Sequence, residues 1–243
     1  MDKDFFSTNI PYKLLHSIQA SLWRYTYRGI LMQKSPFDIA LYTKLVWDIQ
    51  PRTIIEIGTQ AGGSALWFAD LLGTQGNGGH VYTIDINVDK TKELQHPHVT
   101  FLQGDIMNLA YTFSPEEIEK MPRPLLVVED SAHDRKTSTA ALEYFEPLMR
   151  PGEYIVIEDG IVDHLPAVER LFNGGPSAAI VAFLEKHGGN WMIDRQLCDF
   201  FGYNVTWNTN GFLLKLSPRV FADSSATPPS ALCQLSPDCP KHN

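Results

Sequence analysis

Cysteine is scarce in this chain. Its 243 residues hold three, Cys198, Cys233 and Cys239, whose spacing suits neither a zinc site nor a complete set of disulfides. A reduced, cytoplasmic protein is the expectation. Long apolar runs are also missing: no stretch approaches the roughly 18 residues that would cross a bilayer, and no basic segment followed by an apolar one opens the chain. Basic residues are outnumbered, with 20 Lys and Arg against 28 Asp and Glu, a formal net charge of −8. That balance weighs against nucleic acid or an anionic membrane as a partner. Finally, the G-x-G-x-x-G fingerprint of dinucleotide binders is absent around Gly58, Gly62 and Gly63, which disfavours NAD.

What the chain does have is acid placed at strand ends. Leu125–Val128 and Tyr154–Ile157 are strand-like apolar runs, closed by Glu129-Asp130-Ser131-Ala132-His133 and by Glu158-Asp159-Gly160. If the two strands are parallel neighbours, their C-terminal tips lie roughly 5 Å apart, at the edge where open α/β sheets bind ligands. Asp130, Glu158 and Asp159 would then converge. With no Lys or Arg between them in this reading, they repel unless protonated or bound to a cation, and oxygen donors suit a hard ion such as Mg²⁺ or Mn²⁺. Separate solvated loop acids are the plainer alternative.

A second signature lies upstream. Thr53–Ile57 leads into Gly58-Thr59-Gln60-Ala61-Gly62-Gly63-Ser64 and then a helical run with Leu66, Ala69 and Leu72 on one face. The glycines permit a tight turn and close ligand approach at a helix N-terminus. Strand Val81–Ile86 carries Asp85, 27 residues after Gly58, where an acid can hold a ribose diol. A third strand, from Val99, runs into Gly104 and Asp105. Glycine turn, Asp85 and Asp105 in this order form a signature for S-adenosylmethionine, Asp105 being placed for the adenine edge. Glu56, inside an apolar strand, is costly to bury without a partner and is assigned to the glycine-loop amides or a cofactor amine. Asp85 as a simple turn cap and Asp105 as a solvated loop acid remain the alternatives.

From about Lys34 to Leu216 the chain resembles class I S-adenosylmethionine-dependent methyltransferases, and more closely the cephalosporin hydroxylase / rhamnosyl O-methyltransferase family. Three segments carry the resemblance: Glu56–Ala65, Asp130–His133 and Pro151–Asp159. It implies a Rossmann-like, mostly parallel seven-stranded sheet with a C-terminal antiparallel hairpin, and metal ligation by Asp130, Glu158 and Asp159. It implies cofactor binding by Glu56, Gly58, Thr59, Gln60, Gly62, Gly63, Ser64, Asp85, Gly104 and Asp105. Catechol-type O-methyltransferases carry a lysine base three residues after the first ligand; here that position is His133. The change keeps a proton acceptor and alters its charge and reach. A helix N-terminal histidine without chemistry is the alternative.

Three stretches are expected. Residues 1–50 read as an N-terminal helical cap, with Leu14, Leu15, Ile18, Leu22 and Tyr25 on one stripe and a second helix over Phe37–Ile49. Residues 51–217 read as the cofactor-binding core, including short helices at Pro166–Phe172 and Pro176–His187 and a hairpin of Tyr203–Trp207 with Phe212–Leu216 across Asn210-Gly211. Residues 218–243, with five prolines and little apolar periodicity, read as a disordered tail or linker.

The functional expectation is transfer of a methyl group to a hydroxyl of a small molecule, sugar-bearing or polyketide-like, by an enzyme that self-associates. Asp130 and a metal would activate the hydroxyl, and His133 would take its proton. Two other classes compete: a cofactor- and substrate-binding component of a hydroxylating system, and an NAD-dependent oxidoreductase. The two-histidine, one-carboxylate set of an iron oxygenase is missing, and the glycine spacing disfavours the oxidoreductase.

Overall fold

The computed structural model describes residues 7–164 and 172–217. In chain order these form α1 (Tyr12–Leu22), β1 (Thr26–Tyr27), β2 (Ile30–Leu31), α2 (Pro36–Ile49), β3 (Thr53–Ile57), α3 (Gly63–Gln75), β4 (His80–Asp85), β5 (Val99–Gln103), α4 (Pro115–Lys120), β6 (Leu125–Glu129), α5 (Arg135–Phe145), β7 (Tyr154–Ile157), α6 (Gly175–His187), β8 (Trp191–Ile193), α7 (Arg195–Cys198) and β9 (Phe212–Lys215). The main sheet has seven strands in the order β5-β4-β3-β6-β7-β9-β8. Strands β5, β4, β3, β6 and β7 are parallel, and β9 inserts antiparallel between β7 and β8. The chain order reverses between β3 and β6, so the tips of these strands open a crevice at the switch point.

Strand residues alternate between two cores because neighbouring side chains point to opposite faces. Ile54, Val81, Leu126, Val128 and Val156 pack under α2 and α3, against Tyr42, Leu45, Phe68 and Leu72. Ile55, Ile57, Ile84, Leu125, Val127, Ile155 and Ile157 pack under α5 and α6, against Leu142, Phe145, Ile180 and Phe183. Strands buried on both faces explain why the sequence shows continuous apolar runs here.

The first 50 residues are not wholly helical. After α1 the chain turns through a two-stranded antiparallel hairpin, β1 with β2, turned by Arg28 and Gly29, both of positive φ. The expected stripe on α1 is narrower than its sequence suggests: Leu15 and Leu22 are buried, whereas Leu14 and Tyr25 are exposed. The hairpin at the C-terminal end of the sheet exists, but its partners are β8 and β9. Tyr203–Trp207 forms no strand. Asn204 and Asn210 adopt positive φ, and this loop satisfies its polar groups through side chains instead of a ladder. Asn204 Oδ1 accepts from the Asn210 amide at 3.1 Å, and Thr8 Oγ1 donates to the Asn204 carbonyl at 2.7 Å. β-rich composition loses to local side-chain hydrogen bonding. The expected helix at Pro166–Phe172, apart from Phe172, and the 218–243 tail with Cys233 and Cys239 lie outside the described residues.

One buried acid ties the start of α2 to that loop. Ser35 caps α2, its Oγ accepting from the Asp38 amide at 3.2 Å and donating to Asp38 Oδ2 at 2.5 Å. Asp38 also accepts from the Trp207 amide at 3.2 Å and from the Thr206 hydroxyl. Asp38→Ala strips these donors of their acceptor, at about 1–3 kcal/mol for an unsatisfied buried group. Thermal unfolding is expected about 5 °C lower or more, at roughly 2–4 °C per kcal/mol for a domain of this size. Burial pushes the Asp38 carboxyl up to about 6, against about 3.9 in an unfolded chain. The folded form binds this proton more tightly, so Asp38 withdraws stability as pH rises from about 4 to about 6. Asp38→Asn is expected to remove that part of the pH profile in calorimetric melts.

Candidate active site

One cavity of about 720 Å³ opens at the C-terminal tips of β3, β4, β6 and β7. Its floor is the glycine turn. Gly58 has φ +107, and a Cβ there would strike the backbone carbonyl of Asp130, so glycine is what lets β3 and β6 leave the sheet side by side. Gly63 serves a different approach: a Cβ would meet the Leu31 carbonyl of the β1–β2 hairpin. The hairpin therefore lies directly on the N-terminus of α3, and Gln33 and Gln60 are hydrogen bonded across this junction.

The cavity has a polar end made by cofactor candidates. Gly58, Thr59, Gln60, Ser64, Asp85, Gly104 and Asp105 all line it. Asp85 sits at the tip of β4; its Oδ2 accepts from the Gln60 amide at 2.8 Å and its Oδ1 from the Asn87 amide at 2.9 Å. Each oxygen keeps a further lone pair for a ligand hydroxyl. Asp105 accepts from the Met107 amide at 2.9 Å, which turns Ile106 and Met107 toward the cavity wall. Glu56, Gly62 and Gly63 do not line the space. Glu56 is fully buried, its Oε2 takes the Thr83 hydroxyl at 2.5 Å, and its Oε1 has no hydrogen-bond partner. Burial shifts its pKa upward even though the charge of Lys34 and the Ser64 side chain stabilise the carboxylate.

The tips of β6 and β7 gather Asp130, His133 and Asp159 along the same cavity. One donor atom from each lies within 4.8 Å of the others. His133 Nδ1 is 3.3 Å from Asp159 Oδ2 and 3.8 Å from Asp130 Oδ1. His133 and Asp159 both adopt left-handed backbone, φ +55 and +57, a conformation that costs energy for non-glycine residues and concentrates at functional sites. Buried Glu129 fixes the loop: it accepts from Ser131 Oγ at 2.5 Å and Ser138 Oγ at 2.7 Å. Burial pulls the His133 pKa down, but the negative charges of Asp159, Asp130 and Glu129 outweigh it, and the imidazole is shifted upward. Two carboxylates facing one open space, with an imidazole beside them, offer oxygen donors that fit a divalent cation.

Glu158 is placed differently. A lysine stands between the acids, contrary to the reading from spacing. Lys34 Nζ donates to Asp130 Oδ2 at 2.5 Å and to Glu158 Oε1 at 2.7 Å, and Tyr42 Oη donates to the same Glu158 oxygen at 2.6 Å. Lys34 and Glu158 are buried and lie outside the cavity lining, whereas Asp130 and Asp159 belong to it. Burial works against the Lys34 charge, but Asp130, Glu158 and Glu56 overcome it and hold the amine firmly protonated. Lys34 lies 96 residues from Asp130 in sequence, so no local spacing could announce the contact. The only signal was its place before the Ser35-Pro36 helix start.

Apolar residues close the rest of the space: Leu22 and Trp23 from the end of α1, Leu31 from the hairpin and Met32 just after it, and Val162 and Phe172 from the segment after β7. Sequence reasoning placed Leu22 on a core stripe and overlooked Trp23 and Met32, because a wall assembled from two distant segments has no periodicity to read.

A sequence model of the family described as Rhamnosyl O-methyltransferase/CmcI matches residues 20–216. A curated rhamnosyl O-methyltransferase of Mycobacterium leprae is 30% identical over 195 residues, covering 78% of this chain and 82% of that protein. The rhamnosyl O-methyltransferase of Mycobacterium bovis is 30% identical over 197 residues, 78% of each chain. Among solved structures, CmcI without ligand superposes with a TM-score of 0.63 at 24% identity, over 87% of this chain and 86% of that one. CmcI with Mg and S-adenosylmethionine gives 0.62 at 23%, over 87% of each. The mycinamycin-pathway methyltransferase MycE, in complex with Mg, S-adenosylhomocysteine and mycinamycin VI, gives 0.55 at 20%, over 76% of this chain and 51% of that one. These structural likenesses establish the fold: a class I methyltransferase sheet with its antiparallel C-terminal pair.

Proposed function

The chain belongs to the Rhamnosyl O-methyltransferase/CmcI family of class I, S-adenosylmethionine-dependent methyltransferases, and on that premise we propose that it methylates a hydroxyl of a sugar-bearing small molecule with the help of a divalent metal. The observation that carries the reading is a single cavity lined both by Asp85 and the Gly58 turn and by Asp130, His133 and Asp159.

The sulfonium methyl of S-adenosylmethionine is the group transferred, and Mg²⁺ or Mn²⁺ would supply positive charge beside the acceptor oxygen. The chain's own residues do the rest. Asp85 holds the ribose hydroxyls, and Gly58, Thr59 and Gln60 bring backbone close to the amino-acid end of the cofactor. Asp130 and Asp159 face the cavity and would hold the metal. His133, within reach of both, accepts the proton that the acceptor hydroxyl loses, and Asp159 and Asp130 stabilise the imidazolium that results. The wall of Leu22, Trp23, Met32, Val162 and Phe172 excludes water and covers an apolar face of the acceptor, which suits a deoxy sugar joined to an apolar body. The curated relatives are named for rhamnosyl acceptors, and a rhamnoside combines vicinal hydroxyls with an apolar methyl edge.

Among the described residues, no helix is long and apolar enough to cross a membrane. A cytoplasmic location and self-association belong to this proposal. Exposed Tyr12, Leu14, Trp47 and Met192 offer apolar surface for the latter.

Asp85→Ala is expected to weaken S-adenosylhomocysteine about 10- to 100-fold, the value of one or two hydrogen bonds to a charged group. Titration calorimetry measures it; unchanged affinity would remove Asp85 from the cofactor site. The reaction itself is tested by an acceptor screen with methyl-labelled S-adenosylmethionine, using rhamnosides and other vicinal-diol glycosides in Mg²⁺ and in EDTA. Label transfer that is undiminished in EDTA would rule out metal assistance.

A further inference from the structure

We propose that Gln19 reads the acceptor: its side-chain amino group donates a hydrogen bond to a sugar hydroxyl other than the one methylated, while Trp23, one helical turn on, stacks on the sugar ring. This rests on the sugar-acceptor reading above and deepens it.

Helix α1 turns one face to the cavity. Gln19, Leu22 and Trp23 all line it, at the i, i+3 and i+4 spacing of neighbours on a helix surface. Trp23 caps the helix and still has right-handed helical backbone, φ −64 and ψ −7. Gln19 is half-buried and is the polar member of that face.

The oxygen of Gln19 is already engaged. Trp207 Nε1 donates to Gln19 Oε1 at 2.8 Å. An indole N–H can only donate, so the amide is turned with its oxygen to Trp207 and its amino group away. Among the described residues no group accepts from Gln19 Nε2, which leaves the amino group for a ligand oxygen. Trp207 is itself held firmly. It is 2% exposed, its amide donates to Asp38 at 3.2 Å, and its carbonyl accepts from the Ile161 amide at 2.9 Å. Its ring stacks with Phe37, the centroids 6.4 Å apart. Gln19 is therefore oriented before a ligand arrives, which lowers the cost of ordering a flexible side chain on binding.

Trp23 complements it. Although it lines the cavity, it is 66% exposed, so a broad aromatic surface stays open at the rim. A pyranose ring presents a C–H face bordered by hydroxyls. An indole covers such a face, and an amide one turn away serves its edge. Gln19 and Trp23 thus supply acceptor binding, and the chemistry is left to the residues at the strand tips.

The test is binding of methyl rhamnoside and its monodeoxy forms to the full chain saturated with S-adenosylhomocysteine in Mg²⁺, by nuclear magnetic resonance titration. Label transfer from S-adenosylmethionine is run beside it. Gln19→Met is expected to weaken rhamnoside binding about 3- to 10-fold, the value of one neutral hydrogen bond. Trp23→Ala should weaken it about tenfold or more, and Trp23→Phe should stay within about threefold of wild type. Both Gln19→Met and Trp23→Ala should bind S-adenosylhomocysteine as wild type does. One monodeoxy form should already lack the factor that Gln19→Met removes, and lose nothing further on that variant. Unchanged rhamnoside affinity in Gln19→Met or in Trp23→Ala overturns the inference. So does a Gln19→Met loss equal for every monodeoxy form, which would mean that the glutamine acts only by holding Trp207. Weakened S-adenosylhomocysteine binding overturns it too, placing the residue at the cofactor. If Gln19→Met does not fold, the side-chain amide signal of Gln19 in nitrogen-labelled wild type decides: a shift on adding rhamnoside supports the inference, and no shift sinks it. The expected binding pattern without label transfer supports the inference and refutes methyl transfer to this sugar. Wild type that binds S-adenosylhomocysteine but no rhamnoside refutes the sugar acceptor, and the inference with it.

Discussion

Asp130→Asn is expected to lower kcat by about 10³-fold while changing S-adenosylhomocysteine affinity only a few-fold, because removing one preorganised electrostatic group from a reaction centre typically costs about 10²–10³ in rate. Two losses add at this position. The cavity side loses the carboxylate oxygen Oδ1 that faces His133 and Asp159. The buried side loses the charged partner at 2.5 Å that Lys34 shares with Glu158. Asparagine keeps the shape, and the Asp130 backbone still contacts the Gly58 turn, its amide bonded to the Ile57 carbonyl at 2.8 Å. The cofactor end of the cavity therefore survives, and Mn²⁺ affinity should fall together with kcat. Steady-state kinetics in Mg²⁺ with a rhamnoside acceptor measure the effect. A variant with near-normal kcat would show that Asp130 serves only the fold.

His133→Gln should cost about 10²–10⁴-fold in kcat, the range for a positioned general base, with metal and cofactor affinity nearly intact. Its pH profile carries the sign. The imidazole accepts a proton only when neutral, so wild-type rate falls as pH drops through the His133 pKa. In the metal-free chain burial lowers that pKa, while Asp159, Asp130 and Glu129 raise it by more; a divalent ion held by Asp130 and Asp159 would offset those charges and bring the falling limb down. In His133→Gln that limb disappears. A variant with reduced rate and an unaltered limb would assign the titration to another group and leave His133 a structural role.

The strand ends were legible because each obeys a local rule. Buried parallel strands read as apolar runs, and an acid directly after such a run sits at a sheet edge, so Asp130, Glu158 and Asp159 could be brought together from sequence and Asp85 set at the tip of its own strand. The glycine turn was legible for the same reason, though Gly63 turns out to meet the β1–β2 hairpin and Gly62 to pack against Thr91, Leu94 and Phe101, and neither lines the cavity. Glu158 shows the limit of the method. Its carboxylate shares Lys34 with Asp130, and its partners Lys34 and Tyr42 come from 124 and 116 residues away. The loop of Asn204 to Asn210 shows another: Val205, Thr206 and Trp207 suit a strand, but Asp38 and the asparagine side chains capture the backbone. The apolar wall of Trp23, Met32 and Phe172 was hidden because it is assembled only when α1, the hairpin and the segment after β7 meet over the crevice.

The most direct test is calorimetric titration of S-adenosylmethionine and S-adenosylhomocysteine into the full chain, in Mg²⁺ and in EDTA. One site per chain with micromolar affinity for both, persisting in EDTA, is the predicted result: Asp85 and the Gly58 turn would bind the cofactor, leaving Asp130, His133 and Asp159 for the metal and the acceptor. No binding of either compound in either buffer would contradict the methyltransferase account.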